Sequence, residues 1–223
     1  MENANYSEQT PLGFVDRLST RKRRLMFELF LRNFPTTSFQ TVLDIGVTAD
    51  RTSLSSNYFE RWFPEPHKIF ALSNQAGFFL EKIYPGLRFM QGDARQLPFQ
   101  NESIDVIFSS AVIEHIGSRV EQMRMIAECY RVARIGFFIT TPNRWHPIEV
   151  HTLLPLLHWL PKSWHRKLLN FLGYRFYASE ENLNLLDGKT IREMCQALSI
   201  NSFSLMKLRA FGFVSHQILV VKK

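Results

Sequence analysis

Residues 40–46, QTVLDIG, decide how this chain is read. A short apolar run that ends in Asp44 and Gly46 suits a strand buried on both faces that breaks into a turn. Upstream, apolar positions such as Leu18, Leu25, Leu29 and Phe30 give residues 16–34 a helical period, which Pro35 ends. Downstream, helical and strand patterns alternate: a helix over 54–63, a strand Lys68–Leu72, a helix Gln75–Ile83 and a strand Leu87–Gln91. The strand IDVIFSS, the helix Arg119–Val132 and the strand GFFITT complete the series at Pro142. Such alternation over 40–142 predicts βαβ units, that is, a mostly parallel sheet with helices on both faces. Acidic or small polar residues stand at the strand exits, namely Asp44, Ser73, Asp93, Ser109, Ser110 and Thr141. In an open sheet of this kind they line one crevice.

The remainder reads differently. Residues 144–187, rich in Leu, Trp and His, are expected to form a helical insertion after the fifth strand. Thr190–Leu198 reads as a helix, and the β-rich runs on either side of Gly212 as a closing antiparallel pair within 190–223. One domain over residues 1–223 is the expected organisation.

Composition narrows the classes. No run reaches the roughly 18 apolar residues of a membrane span, and the polar opening MENANYSEQT does not resemble a secretory leader. A cytoplasmic location is therefore expected, with Cys129 and Cys195 as reduced core thiols. The net charge of +7 favours partners that carry negative charge. The basic run Arg21–Arg24 is the densest patch, but no RNA-binding module accompanies it. It is read as a solvated helix face, and neither a nucleic-acid partner nor an obligate protein partner is expected.

The order TVLDIG, GDARQLPF, SIDVIFSSAVIEHIG resembles the first, third and fourth strand exits of class I S-adenosylmethionine-dependent methyltransferases, in particular the type 11-like group that methylates small molecules. The resemblance covers residues 40–142 and implies a Rossmann-like fold with S-adenosyl-L-methionine as cofactor. It places Asp44, Gly46, Val47 and Thr48 at the cofactor's amino-acid end. Asp93 and Ala94 fall at the adenine, and Ser109 and Ser110 beneath the methionine portion. Ser73 and Asn74 stand where the family carries an acid for the ribose, and a neutral contact is weaker than a charge-assisted one. The glycine pattern is thinned too: after Asp44 only Gly46 remains, although Thr48 and Ala49 are small and Asp50 is placed to cap a helix.

Methyl transfer asks the protein for alignment and desolvation. A base is needed only where the acceptor atom must lose a proton, and His115, with Glu114 as alternative or orienting partner, is the candidate. Asn143, Arg144 and Trp145 follow the fifth strand and are expected to face the acceptor, with Arg144 suited to an anionic group. The basic, Trp-rich stretch beyond them suits an acceptor lid, a lipid-linked substrate or a peripheral membrane contact. His146, Glu149 and His151 lack HExxH spacing and have Pro147 among them, so no metal site is expected.

The leading reading is thus a methyltransferase acting on a small or lipid-linked acceptor. The alternative, suggested by the lost glycines and ribose acid, is a catalytically inactive binding or regulatory protein on the same fold. A nicotinamide-dependent oxidoreductase would need GxGxxG at the first turn, where this chain reads GVTADR.

Overall fold

A computed structural model describes residues 13–48 and 56–223. The expected alternation is there: α1 (Gly13–Asn33), β1 (Val42–Ile45), α2 (Tyr58–Trp62), β2 (Ile69–Ser73), α3 (Leu80–Ile83), β3 (Arg88–Gln91), β4 (Ile104–Ser110), α4 (Arg119–Val132) and β5 (Ala133–Pro142). Then come α5 (Lys162–Phe171), α6 (Gly188–Ala197), β6 (Phe203–Ala210) and β7 (Phe213–Lys222). The seven strands form one sheet in the order β3-β2-β1-β4-β5-β7-β6. β1 to β5 pair in parallel, and β7 runs antiparallel to both β5 and β6. Phe211 and Gly212 both take positive φ between β6 and β7, the backbone twist of a tight hairpin.

Side-chain alternation along the strands separates two cores. Val42, Val106, Phe108, Phe138, Ile218 and Val220 pack with residues of α1 and α2. Leu43, Ile107, Phe137, Ile139, Leu219 and Val221 pack with residues of α4 and α6. The first core is aromatic: the ring of Phe30 lies within 5.2–6.2 Å, centre to centre, of Phe34, Phe39, Phe59, Phe108 and Phe138. The second is mainly aliphatic and contains both cysteines, which are buried and free.

Two expectations need correction. The helix expected from Gln75 is confined to Leu80–Ile83. The Ser73 hydroxyl accepts the Gln75 amide at 3.2 Å, a local turn that competes with helix. Gly77 then lies so close to the Phe89 ring that a Cβ there would come within 2.6 Å of it. The insert 144–187 also carries less helix than expected, namely α5 and a single 3-10 turn at Leu157–Trp159. Pro147, Pro155 and Pro161 remove amide donors and hold extended backbone before them, so much of the segment runs as turns.

Among the described residues no helix is long and apolar enough to cross a membrane. The basic run on α1 is not simply solvated. Arg23 lies over the Tyr58 ring and Arg24 over Trp62, at 5.7 and 5.3 Å, tying α1 to α2.

The turn after β1 depends on one glycine. Gly46 has φ +101°, and a Cβ on it would lie 2.1 Å from Val112 Cγ2. Gly46→Ala therefore meets backbone strain of about 1–3 kcal/mol and an overpacking cost of similar size. Urea unfolding should show a loss of about 2–5 kcal/mol, of which Val112→Ala in the same chain recovers only the packing part. A loss below about 1 kcal/mol would contradict this account of the turn.

Candidate functional site

Chain direction across the sheet reverses between β1 and β4: β1 leads to β2 on one side, and β4 leads to β5 on the other. Ligands of open α/β sheets bind at the carboxyl ends of strands beside such a switch point. Gly46 and Val47 leave β1 there. Thr48 follows, its amide given to Asn57 Oδ1 and its carbonyl accepting Asn57 Nδ2, both at 2.9 Å. Ala49 and Asp50, with the cap expected of Asp50, lie outside the described residues.

Asp44 is buried in β1 beside Glu60 of α2, itself buried. Burial raises the Asp44 carboxyl well above its ordinary range, and the neighbouring Glu60 raises it further. Glu60 is also raised by burial. Among the described residues neither Glu60 oxygen has a hydrogen-bond partner, and Asp44 is its acidic neighbour. Next to them runs a hydroxyl chain, with Tyr58 Oη donating to Ser110 Oγ at 2.9 Å and Ser110 Oγ lying 3.0 Å from Thr140 Oγ1. Ser109 is different: fully buried, it donates to the Ile45 carbonyl at 3.1 Å and joins β4 to β1.

At the second strand exit Ser73 is buried and Asn74 exposed. Asp93, after β3, is gripped by Arg95, whose Nε lies 3.0 Å from both carboxylate oxygens. The Arg95 hydrogen bonds hold Asp93 below the usual carboxylate range. Its side chain remains 46% exposed, which leaves the carboxylate accessible to a further donor. Ala94 packs into the aliphatic core.

Glu114 and His115 sit on a 3-10 turn, Ile113–His115, rather than on α4 itself. The end of the insert clamps this turn. Asn184 donates its amide to the Glu114 carbonyl at 2.7 Å and its Nδ2 to the Gly117 carbonyl at 2.7 Å. Gln122 Nε2 bridges the Ile113 and Asn184 carbonyls at 2.9 and 2.8 Å. Glu114 is fully buried; Thr141 Oγ1 donates to its Oε2 at 2.9 Å, while among the described residues Oε1 has no hydrogen-bond partner. Burial pushes its carboxyl up to about 7. His115 Nδ1 lies 2.6 Å from the Asn182 carbonyl. Burial, reinforced by His151, brings its imidazole down to about 4.

His151 is the residue that sequence reasoning assigned elsewhere. Its ring meets His115 edge to face at 4.7 Å, and its Nδ1 lies 2.6 Å from Glu149 Oε1. Glu149 also accepts from the His151 amide and from the amide and hydroxyl of Thr152. Burial alone would raise Glu149, but these partners draw it down to about 2. Burial works against charge on His151 as well, yet the adjacent carboxylates leave it raised.

The three residues expected to face the acceptor separate. Asn143 is buried, giving Nδ2 to the Val214 carbonyl and accepting Gln217 Nε2, so its amide is taken up by β7. Trp145 is exposed and donates to Asp187 at 2.8 Å. Arg144 lines a cavity with His158, Lys162, His165 and Arg166, and Asn143 lines a neighbouring one with His146, Glu149 and His158. Three cationic side chains, Arg144, Lys162 and Arg166, meet there; the sequence singled out Arg144 but not its two neighbours from α5.

Residues 56–140 match the family model described as a methyltransferase domain. A probable S-adenosylmethionine-dependent methyltransferase of Mycolicibacterium smegmatis is 38% identical over 63 residues, 27% of this chain and 23% of that protein. A similarly named protein of Mycobacterium tuberculosis matches at 38% over 63 residues, 27% of this chain and 22% of its own. These matches span less than a quarter of the relatives' length. Among solved structures, magnesium protoporphyrin IX methyltransferase from Synechocystis, with bound S-adenosylhomocysteine, superposes with a TM-score of 0.57 at 14% identity, covering 97% of this chain and 90% of that one. A Thermotoga maritima S-adenosylmethionine-dependent methyltransferase gives 0.55 at 13% identity, covering 92% and 91%. Residues 56–140 are thus similar to a methyltransferase domain, on a fold that resembles solved S-adenosylmethionine-dependent methyltransferases along nearly all of its length.

Proposed function

We propose that this chain is an S-adenosylmethionine-dependent methyltransferase acting on a small acceptor, free or lipid-linked, that bears an anionic group. The observation that carries the reading is the buried pair Asp44 and Glu60 at the switch point. Two adjacent buried carboxyls form a receptor for a cation, and the cofactor presents an ammonium and a sulfonium. The donor set fits that group: the acid pair for the ammonium, Asp93 for the adenine amino group, and Asn74 as a neutral substitute at the ribose.

When bound, the cofactor supplies a methyl group already activated on sulfur, so the chain's own contribution is placement. Arg95 fixes the orientation of Asp93. Tyr58, Ser110 and Thr140 keep the floor beside Asp44 polar and ordered. Glu114 and His115 stand at the acceptor end, held rigid by Asn184 and Gln122. Arg144, Lys162 and Arg166 gather positive charge at the cavity under α5, suited to phosphate or carboxylate. The exposed Trp159, Trp164 and Phe171 nearby suit a lipid tail or a membrane surface.

Two outcomes test this. Binding a cation favours the ionised acid pair, so cofactor binding releases up to about one proton, and affinity rises with pH. Calorimetry in two buffers of different ionisation enthalpy reads that release. In Glu60→Gln the like charge beside Asp44 is gone, Asp44 ionises at lower pH, and the release fades. No heat at millimolar S-adenosylmethionine would remove the enzymatic reading, and binding without methyl incorporation into cell extract would favour the inactive alternative. Arg144→Ala and Lys162→Ala should lower incorporation at least about tenfold while leaving cofactor affinity unchanged. Unchanged incorporation would detach the basic cavity from the acceptor.

A further inference from the structure

The turn after β4 and the loop after β5 bring together Glu114, His115 and His151, each offering one donor atom, all within 4.8 Å of one another. We propose that these three side chains form a binding site for a divalent transition-metal ion of the zinc class. In sequence, His151 stands with His146 and Glu149, a trio without metal-site spacing. The fold divides that trio. His146 turns its Nδ1 to the Ile148 carbonyl at 2.8 Å, and Glu149 supports His151 from behind.

The hydrogen bonds around the two imidazoles set their tautomers. A carbonyl oxygen can only accept, so the 2.6 Å contact with Asn182 requires the proton of His115 on Nδ1. The carboxylate of Glu149 does the same to Nδ1 of His151 at 2.6 Å. Each neutral ring then carries its lone pair on Nε2, the atom that a metal takes. A carbonyl or carboxylate behind a histidine is the usual outer partner of a metal-binding imidazole. Both histidines have one: Asn182 for His115, from a distant segment, and Glu149 for His151, two residues away.

Glu114 supplies the independent observation. Its Oε2 takes the Thr141 hydroxyl, whereas Oε1 is buried and, among the described residues, has no hydrogen-bond partner. A carboxylate oxygen left so inside a protein is costly unless a cation answers it. Two imidazoles with one carboxylate favour zinc, cobalt, iron or nickel over magnesium or calcium, which prefer oxygen ligands alone. Three protein ligands also leave a position open for a water or for an acceptor oxygen. This assigns coordination, in place of proton removal, to Glu114 and His115. A cation there would polarise an acceptor hydroxyl; that use rests on the methyl-transfer reading, whereas the site itself does not.

The test uses tag-free, chelator-treated protein without S-adenosylmethionine, titrated with cobalt(II) and followed by visible absorption. One equivalent should bind with the intense bands of low coordination, and zinc(II) should displace it. His151→Gln and Glu114→Gln should weaken binding at least about a hundredfold, and Glu149→Gln, which removes the charge behind His151, about 10–100-fold. His67→Ala, on an exposed histidine outside the cluster, should change nothing. Should the cluster variants fail to fold, the wild type decides alone, through a one-to-one rise in melting temperature with zinc that chelator reverses. No stoichiometric cobalt spectrum, a spectrum indifferent to the cluster substitutions, or a response to magnesium only would overturn the proposal. Cofactor calorimetry on the same metal-free sample keeps failure of this site distinct from failure of the methyl-transfer reading.

Discussion

The seam between β1 and β4 is the constraint on which the rest depends. Parallel pairing aligns Asp44 with Phe108 and Ile45 with Ser109, so both strands end at the same level. The Ser109 hydroxyl fastens that end to the Ile45 carbonyl. Gly46 can then turn away only because it lacks a Cβ, for Val112 fills the space above it. The glycine thus serves contact within the protein as well as approach of a ligand. Beyond it, Ala111 adopts φ +56°, an unusual conformation for a residue with a side chain. The turn that carries Glu114 and His115 is reached through that strained residue.

Polar satisfaction then distributes the work across the crevice. On the face toward α1 and α2, Asp44, Glu60, Tyr58, Ser110 and Thr140 lie between the polar strand ends and a cluster of phenylalanines. On the other side, the turn of Glu114 and His115 is held by backbone and amide bonds from Asn182 and Asn184. The second set exists only when the insert is docked, because its partners lie more than sixty residues away. Lys162, at the start of α5, donates to Asn184 Oδ1. The basic cavity and the Glu114 turn therefore share one hinge residue, and a ligand that displaces Lys162 acts on Asn184 directly.

Sequence made the sheet legible where burial is simple. TVLDIG, IDVIFSS and GFFITT lie in the middle of the sheet, and runs apolar on both faces can scarcely be anything else. Arg119–Val132 was readable to the residue because Ser118 caps its start, accepting the Glu121 amide. Legibility failed where local and tertiary signals part. A Leu- and Trp-rich composition suggested helix in the insert, but its prolines prevail and much of the apolar surface faces outward. Asn143 looked like a crevice residue from its place after β5, yet pairing with β7 turns its amide inward.

The candidate site shows the same boundary more sharply. Asp44, Asp93, Glu114 and His115 could be picked out because each follows a strand, a fact local to the sequence. Glu60 could not, since nothing in its own neighbourhood differs from an ordinary surface helix, and His151 drew notice only beside His146 and Glu149, a grouping that the fold divides. Their significance comes from what the fold sets beside them: a second buried acid in one case, a second imidazole and a buried carboxylate in the other. A titratable side chain gains chemical meaning when desolvation removes water as its partner and leaves only neighbours. Strand exits mark where a ligand sits. Glu60 and His151 arrive from α2 and the insert, and only tertiary structure brings them in.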